Sequence, residues 1–146
     1  MASPEEMQKD EEAVLRIADE LDARASKGPN GAKILILGLA YKKNVDDMRE
    51  SPALKIMELL EKRGAVVSFH DPFFPEILPS REHPGFTGRK STPLDPTVLV
   101  EIDVALICTD HDAIDYQLLA QNCPLIVDTR NAFASRGIAS DRVVKA

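Results

Sequence analysis

Charged and hydrogen-bonding side chains gather at four places in this chain: Tyr41 through Arg49, His70-Asp71, Thr109-Asp110-His111 and Asp128-Thr129-Arg130. Lys42 and Arg130 make the best pair for an anionic ligand. Arginine offers a planar fork for phosphate or carbonyl edges, and lysine a mobile point charge. The stretch Tyr41–Glu50 sets Lys42, Lys43 and Arg49 against Asp46, Asp47 and Glu50, so its charge cancels. Residue chemistry therefore fits a ligand site and a self-neutralised rim equally well.

Several chemistries are excluded by what is missing. A dinucleotide turn needs glycines at set steps, so that backbone can approach the pyrophosphate. Here Gly38 is followed by Leu39-Ala40-Tyr41, which is not such a turn. Primary NAD binding within these residues is not expected. There is no Cys/His metal spacing, no nucleophile elbow and no phosphate-cradling G-x-x-x-x-G-K-[ST] loop.

The four polar clusters need elements to carry them. Lys33–Gly38 is an apolar run of strand length without alternation, as suits a strand covered on both faces. Ser51-Pro52 reads as the N-cap and first residue of a helix reaching about Arg63, with Ala53, Ile56, Met57 and Leu60 as its buried stripe and Gly64 as its stop. Further strands are expected at Ala65–His70, Asp103–Cys108 and Pro124–Asp128, and a last short one near Arg142–Val144. Short helices are expected near Asp95–Glu101 and over Asp112–Gln121. The connection from Phe73 to Leu94 holds four prolines and should be mostly irregular. Alternating strands and helices predict an α/β fold with a doubly wound parallel sheet and right-handed crossovers. Each polar cluster then follows a strand, and all four share the rim where open α/β sheets bind ligands.

Upstream, Pro4–Ser26 reads as a polar helix with Met7, Val14, Ile17, Ala18, Leu21 and Ala25 as its thin apolar stripe, ended by Lys27-Gly28-Pro29-Asn30-Gly31. The expected organisation is helix and linker over 1–31 and one domain over 32–146.

The chain has 146 residues, 44% hydrophobic and 29% charged, as suits one globular domain. A net charge of −6 argues against a general nucleic-acid binder. No apolar run approaches the roughly 20 residues that span a bilayer, and MASPEEMQKDEE has no apolar signal core, so a cytoplasmic setting is expected. Cys108 and Cys123 are expected to be buried and unpaired rather than reactive.

The run G-L-A-Y-K-K-N-V-D-D-M-R-E-S-P at 38–52 closely resembles the signature that opens the C-terminal, UDP-binding domain of the UDP-glucose/GDP-mannose dehydrogenase family. His70-Asp71-Pro72, Thr109-Asp110-His111 and Val127-Asp128-Thr129-Arg130-Asn131 follow in the order of similar family motifs. The resemblance spans roughly residues 10 to 135, and the wording looks most like the UDP-N-acetyl-hexosamine (UDP-N-acetyl-glucosamine) 6-dehydrogenase branch.

The resemblance implies a Rossmann-like domain preceded by the tail of the family's central helix, which joins two domains and forms a dimer contact. It implies that Tyr41, Lys42 and Arg130 hold the UDP part of a UDP-sugar. Arg49 would face an NAD bound mainly by another domain. Asp46 and Asp47 would orient Arg49 and Lys43. The family oxidises a sugar C6 alcohol to a carboxylate with two NAD, through a thioester on a cysteine. No catalytic residue is expected in this chain, which would pair with NAD-binding and central domains of the same enzyme and be inactive alone.

Two other readings compete. One is a free-standing nucleotide-sugar-binding or dimerisation module. The other is a phospho-receiver domain, which fits poorly because Asp46 and Asp47 lie well past the strand end. His111 is expected to cap the Asp112 helix or pack on the rim, and His70-Asp71-Pro72 to order the rim loop.

Overall fold

Apolar runs and their flanking turns build a five-stranded, fully parallel sheet in the order β2-β1-β3-β4-β5. The computed structural model describes residues 12, 15–17, 19, 31–40, 44, 52–81 and 83–145. The strands are β1 (Lys33–Leu37), β2 (Val66–His70), β3 (Val104–Ile107), β4 (Ile126–Asp128) and β5 (Val143–Lys145). Among the described residues after β1, the helices are α1 (Pro52–Lys62), α2 (Pro96–Leu99) and α3 (Tyr116–Asn122), with single 3-10 turns at Pro84–Phe86 and Ala134–Arg136.

Because successive strand residues point to opposite faces, β1 and β3 feed two cores. Ile34, Ile36 and Leu106 join Ala53, Ile56, Met57 and Leu60 of α1 on one face. Leu35, Leu37 and Ile107 meet Leu99 of α2 and Leu119 of α3 on the other. The expected stripe of α1 is thus the buried one. Gly64 ends that helix with φ 89: its N–H donates to the Glu61 carbonyl, and the Ala65 N–H reaches back to Leu60.

The switch of helix layers falls between β1 and β3. Chain leaving β1 crosses to β2 by way of α1, whereas the segments flanking β3 carry α2 and α3 over the opposite face. A crevice beyond the strand ends opens at such a point.

Most expected elements are present within one or two residues, and the last strand pairs with β4. The exception is α3. It starts at Tyr116 rather than Asp112, capped by Asp115, whose carboxylate accepts from the Leu118 N–H at 3.1 Å. The connection after β2 is irregular, with one antiparallel bridge between Glu76 and Lys90. It is nonetheless packed. Phe74, Ile77 and Phe86 are buried beside α1, and Arg89 grips Glu61 through both terminal nitrogens at 2.6 and 3.2 Å.

Of the N-terminal helix, Glu12, Leu15, Arg16, Ile17 and Asp19 are described and helical; Ile17 is fully buried against the α1 face of the core. Met7, Val14, Ala18, Leu21 and Ala25, and residues 27–30, lie outside the described residues, as does the Ser51 cap. No helix among the described residues is long and apolar enough to cross a membrane.

Candidate functional site

The switch point lies where β1 and β3 end side by side. Gly38 follows β1 with φ 91, and its N–H donates to the His70 carbonyl at 2.9 Å. A Cβ there would stand 2.5 Å from the Thr109 Cβ and 2.7 Å from the Thr109 carbonyl oxygen. Only glycine satisfies both the backbone and this close approach. Thr109 then closes over the β1 end, its hydroxyl donating to the Ala40 carbonyl at 2.6 Å.

Beneath these turns lies a buried polar core. Asp71, directly after β2, accepts from the Leu39 N–H at 2.6 Å, the Phe73 N–H at 2.7 Å and His111 Nε2 at 3.0 Å. Burial works to raise the Asp71 carboxyl, but these three donors together outweigh it and hold the group below the usual carboxylate range. His111 Nδ1 accepts from the Asn44 N–H at 2.7 Å. With one ring nitrogen donating and the other accepting, the imidazole is neutral and protonated on Nε2. His111 therefore caps no helix; it is a fully buried strut between the loops after β1, β2 and β3. His70 works alongside, bonded through Nδ1 to the Thr92 carbonyl at 2.8 Å. Burial lowers its proton affinity, and the Thr92 carbonyl offsets part of that.

A second polar assembly joins the ends of β3 and β4. Asp128, buried at the close of β4, accepts from the Arg130 N–H at 3.0 Å and the Phe133 N–H at 3.1 Å. The turn it shapes projects the Arg130 side chain over the end of β3, where Nε donates to the Cys108 carbonyl at 2.8 Å. Anchored at Nε, the exposed guanidinium has no further hydrogen bond to its terminal nitrogens among the described residues. Those nitrogens form the donor fork that suits a phosphate or a carbonyl edge.

Of the expected site residues, Arg130 therefore stands on the rim beside the switch point. Tyr41, Lys42 and Arg49 lie outside the described residues, as do Lys43, Asp46, Asp47 and Glu50. Three rim residues escaped the sequence reading: Asn44, Asp112 and Arg136. Asn44 has φ 60, and asparagine is among the few side-chain-bearing residues that tolerate that region. That tolerance was the available signal. Arg136 has none in the sequence; it spans Asp112 at 2.7 Å, the Asp110 carbonyl at 3.1 Å and the Ala132 carbonyl at 3.0 Å.

Both cysteines are buried and form no disulfide, and burial pushes the Cys123 thiol up to about 11. The described residues contain no group of three or more His, Cys, Asp or Glu side chains that could hold a metal.

Comparison with known proteins fits this geometry. Residues 35–135 match the model described as "UDP-glucose/GDP-mannose dehydrogenase family, UDP binding domain". The chain is 33% identical over 123 residues to a UDP-glucose 6-dehydrogenase of Rhizobium meliloti, covering 80% of this chain and 27% of that one. It is 32% identical over 107 residues to a UDP-N-acetyl-D-mannosamine dehydrogenase of Methanococcus maripaludis, covering 68% and 22%. This chain thus spans about a quarter of the length of such relatives. Among solved structures, a UDP-D-ManNAc dehydrogenase from Pyrococcus horikoshii superposes with a TM-score of 0.67 at 25% identity, over 93% of this chain and 29% of that one. A UDP-glucose dehydrogenase from Pyrobaculum islandicum gives 0.62 at 27% identity, over 92% and 30%.

Proposed function

The chain belongs to the UDP-glucose/GDP-mannose dehydrogenase family and corresponds to its UDP-binding domain, and from that premise we propose that it binds the UDP portion of a UDP-sugar on the rim beyond β1, β3 and β4. Arg130 supplies the fork for the diphosphate or uracil edge, and Tyr41 and Lys42 complete the grip. Arg49 faces the pyrophosphate of an NAD held mainly by a separate domain. Asp46 and Asp47 orient the neighbouring cations.

One observation carries the reading most. Arg130 is fixed at its Nε by the Cys108 carbonyl just past β3, and its exposed terminal nitrogens remain available beside the switch point. Ala40 and Asn44, which flank Tyr41–Lys43 in sequence, are both hydrogen-bonded to the β3 turn there. A cationic fork at the rim where the ends of β1 and β3 meet suits a nucleoside diphosphate.

The reaction served is oxidation of the C6 alcohol of a UDP-hexose or UDP-N-acetyl-hexosamine to a carboxylate with NAD. The hydride and thioester chemistry belong to other domains, so this chain binds substrate without turning it over, in a homodimeric, cytoplasmic enzyme. Alone, with one wall of the cleft missing, it binds UDP at roughly micromolar to millimolar Kd. Calorimetric titration with UDP, paired with chemical-shift mapping, tests this. Shifts confined to the β1, β3 and β4 loops are expected, and no heat together with no shift overturns the proposal.

A further inference from the structure

Between Ala40 and Pro52, Asn44 is the described residue, and it is tied down unusually well. Its backbone is left-handed, a conformation costly to a residue with a Cβ unless local contacts offset it. Those contacts come from far along the chain. Its N–H donates to His111 Nδ1 at 2.7 Å, Nδ2 donates to Asp112 Oδ2 at 2.7 Å, and Oδ1 accepts from the Asp112 N–H at 2.8 Å. The last two close a ring that uses both ends of the amide. Asp112 in turn accepts from Arg136 through Oδ1 at 2.7 Å, and Arg136 also holds the carbonyls of Asp110 and Ala132. Through His111, the same residue is linked to Asp71 at the end of β2. Asn44 thereby joins the loops that follow four different elements of the rim.

We infer that Asn44 is a positioning residue: its amide ring with Asp112 ties the loop after β1 to the loop after β3, beside the turn that carries Arg130, and UDP binding on this rim depends on that tie. The inference rests on the UDP-binding reading above. The residue touches no ligand itself. Its two side-chain bonds lie at an exposed site, so their loss is felt in the loop rather than in the twofold core beneath.

The test is titration of the 146-residue chain with UDP, with a thermal midpoint recorded for each variant. Asn44→Ala should weaken binding about tenfold, as expected for hydrogen bonds to a carboxylate, while the midpoint shifts by no more than about 3 °C. Asn44→Asp sets two carboxylates against each other and should weaken binding at least as far. Adding Asp112→Asn to Asn44→Asp reverses donor and acceptor in the same ring, and should restore the Kd to within about threefold of wild type. General stabilisation cannot produce such a rescue. Unchanged affinity in Asn44→Ala, or no recovery in the double variant, overturns the inference while leaving UDP binding intact. Wild-type protein that binds no UDP overturns the UDP-binding reading, and this inference with it.

Discussion

Asp71 and His111 lie 40 positions apart in sequence, yet their side chains meet at 3.0 Å with neither exposed to solvent. The carboxylate also holds the Leu39 N–H at 2.6 Å, so one side chain serves the turns after three strands.

Replacing Asp71 with Asn should cost about 3 kcal/mol in urea unfolding, because it breaks a buried hydrogen-bonded network from one side. The same group sets part of the acid limb of stability. Its folded-state affinity for protons lies below the ordinary value of 3.8, so its contribution is present above that value and lost as pH falls toward the folded one. His70 adds a component at higher pH. Its folded value lies below 6.5, so unfolding takes up a proton more readily, and stability drops as pH falls below about 6.5. His70→Gln should flatten the curve between about pH 7 and pH 5, and Asp71→Asn should flatten it below about pH 4. Unfolding free energies measured across that range check both signs.

Gly38→Ala should destabilise the domain by about 3 kcal/mol or prevent folding, since the new methyl meets a β-carbon and two backbone atoms while the backbone sits at positive φ. Gly88→Ala, also at positive φ but with open space around it, provides the comparison and should cost only about 1 kcal/mol. Equal losses in the two variants would show that backbone conformation, not crowding by Thr109, decides the outcome.

Arg130→Ala should weaken UDP binding by about tenfold to a hundredfold, with little change in melting temperature because the side chain is exposed. Arg130→Lys should recover little of that. Lysine has no counterpart to the Nε–H that fixes the arginine on the Cys108 carbonyl, so its charge would not be held in place. Calorimetry on both variants separates charge from anchoring.

Cys123 should resist alkylation in the native protein at pH 8, since burial both shields the thiol and raises its proton affinity to about 11. Labelling followed by mass spectrometry should find it modified only after denaturant is added.

Much of this architecture was legible in the chain. Unbroken apolar runs such as Ile34–Leu37 admit little except a strand covered on both faces, and Gly64 marked a helix end that the backbone confirms. The start of α3 was not legible. Asp110, Asp112 and Asp115 can each cap a helix by chemistry, and tertiary partners make the choice: Asp112 is engaged by Asn44 and Arg136, which leaves Asp115 to cap. The Asp71–His111 strut was hidden for a related reason. No local pattern links two residues on different strand ends, so only the sheet order brings them together. At the rim, Arg130 stands where its place after β4 implied, whereas the importance of Asn44 rests on a backbone angle that sequence merely permits.

Strands β1 and β3 are sheet neighbours, although the pairs that join their starts reach across 70 residues, with β2 and a long proline-rich excursion in between. A ribosome releasing this polypeptide must therefore expose one side of β1 until nearly the whole segment has emerged. Closing so wide a loop carries an entropic toll before any ladder bond rewards it. The nascent chain thus completes its sheet late, with one edge of β1 unsatisfied until β3 arrives.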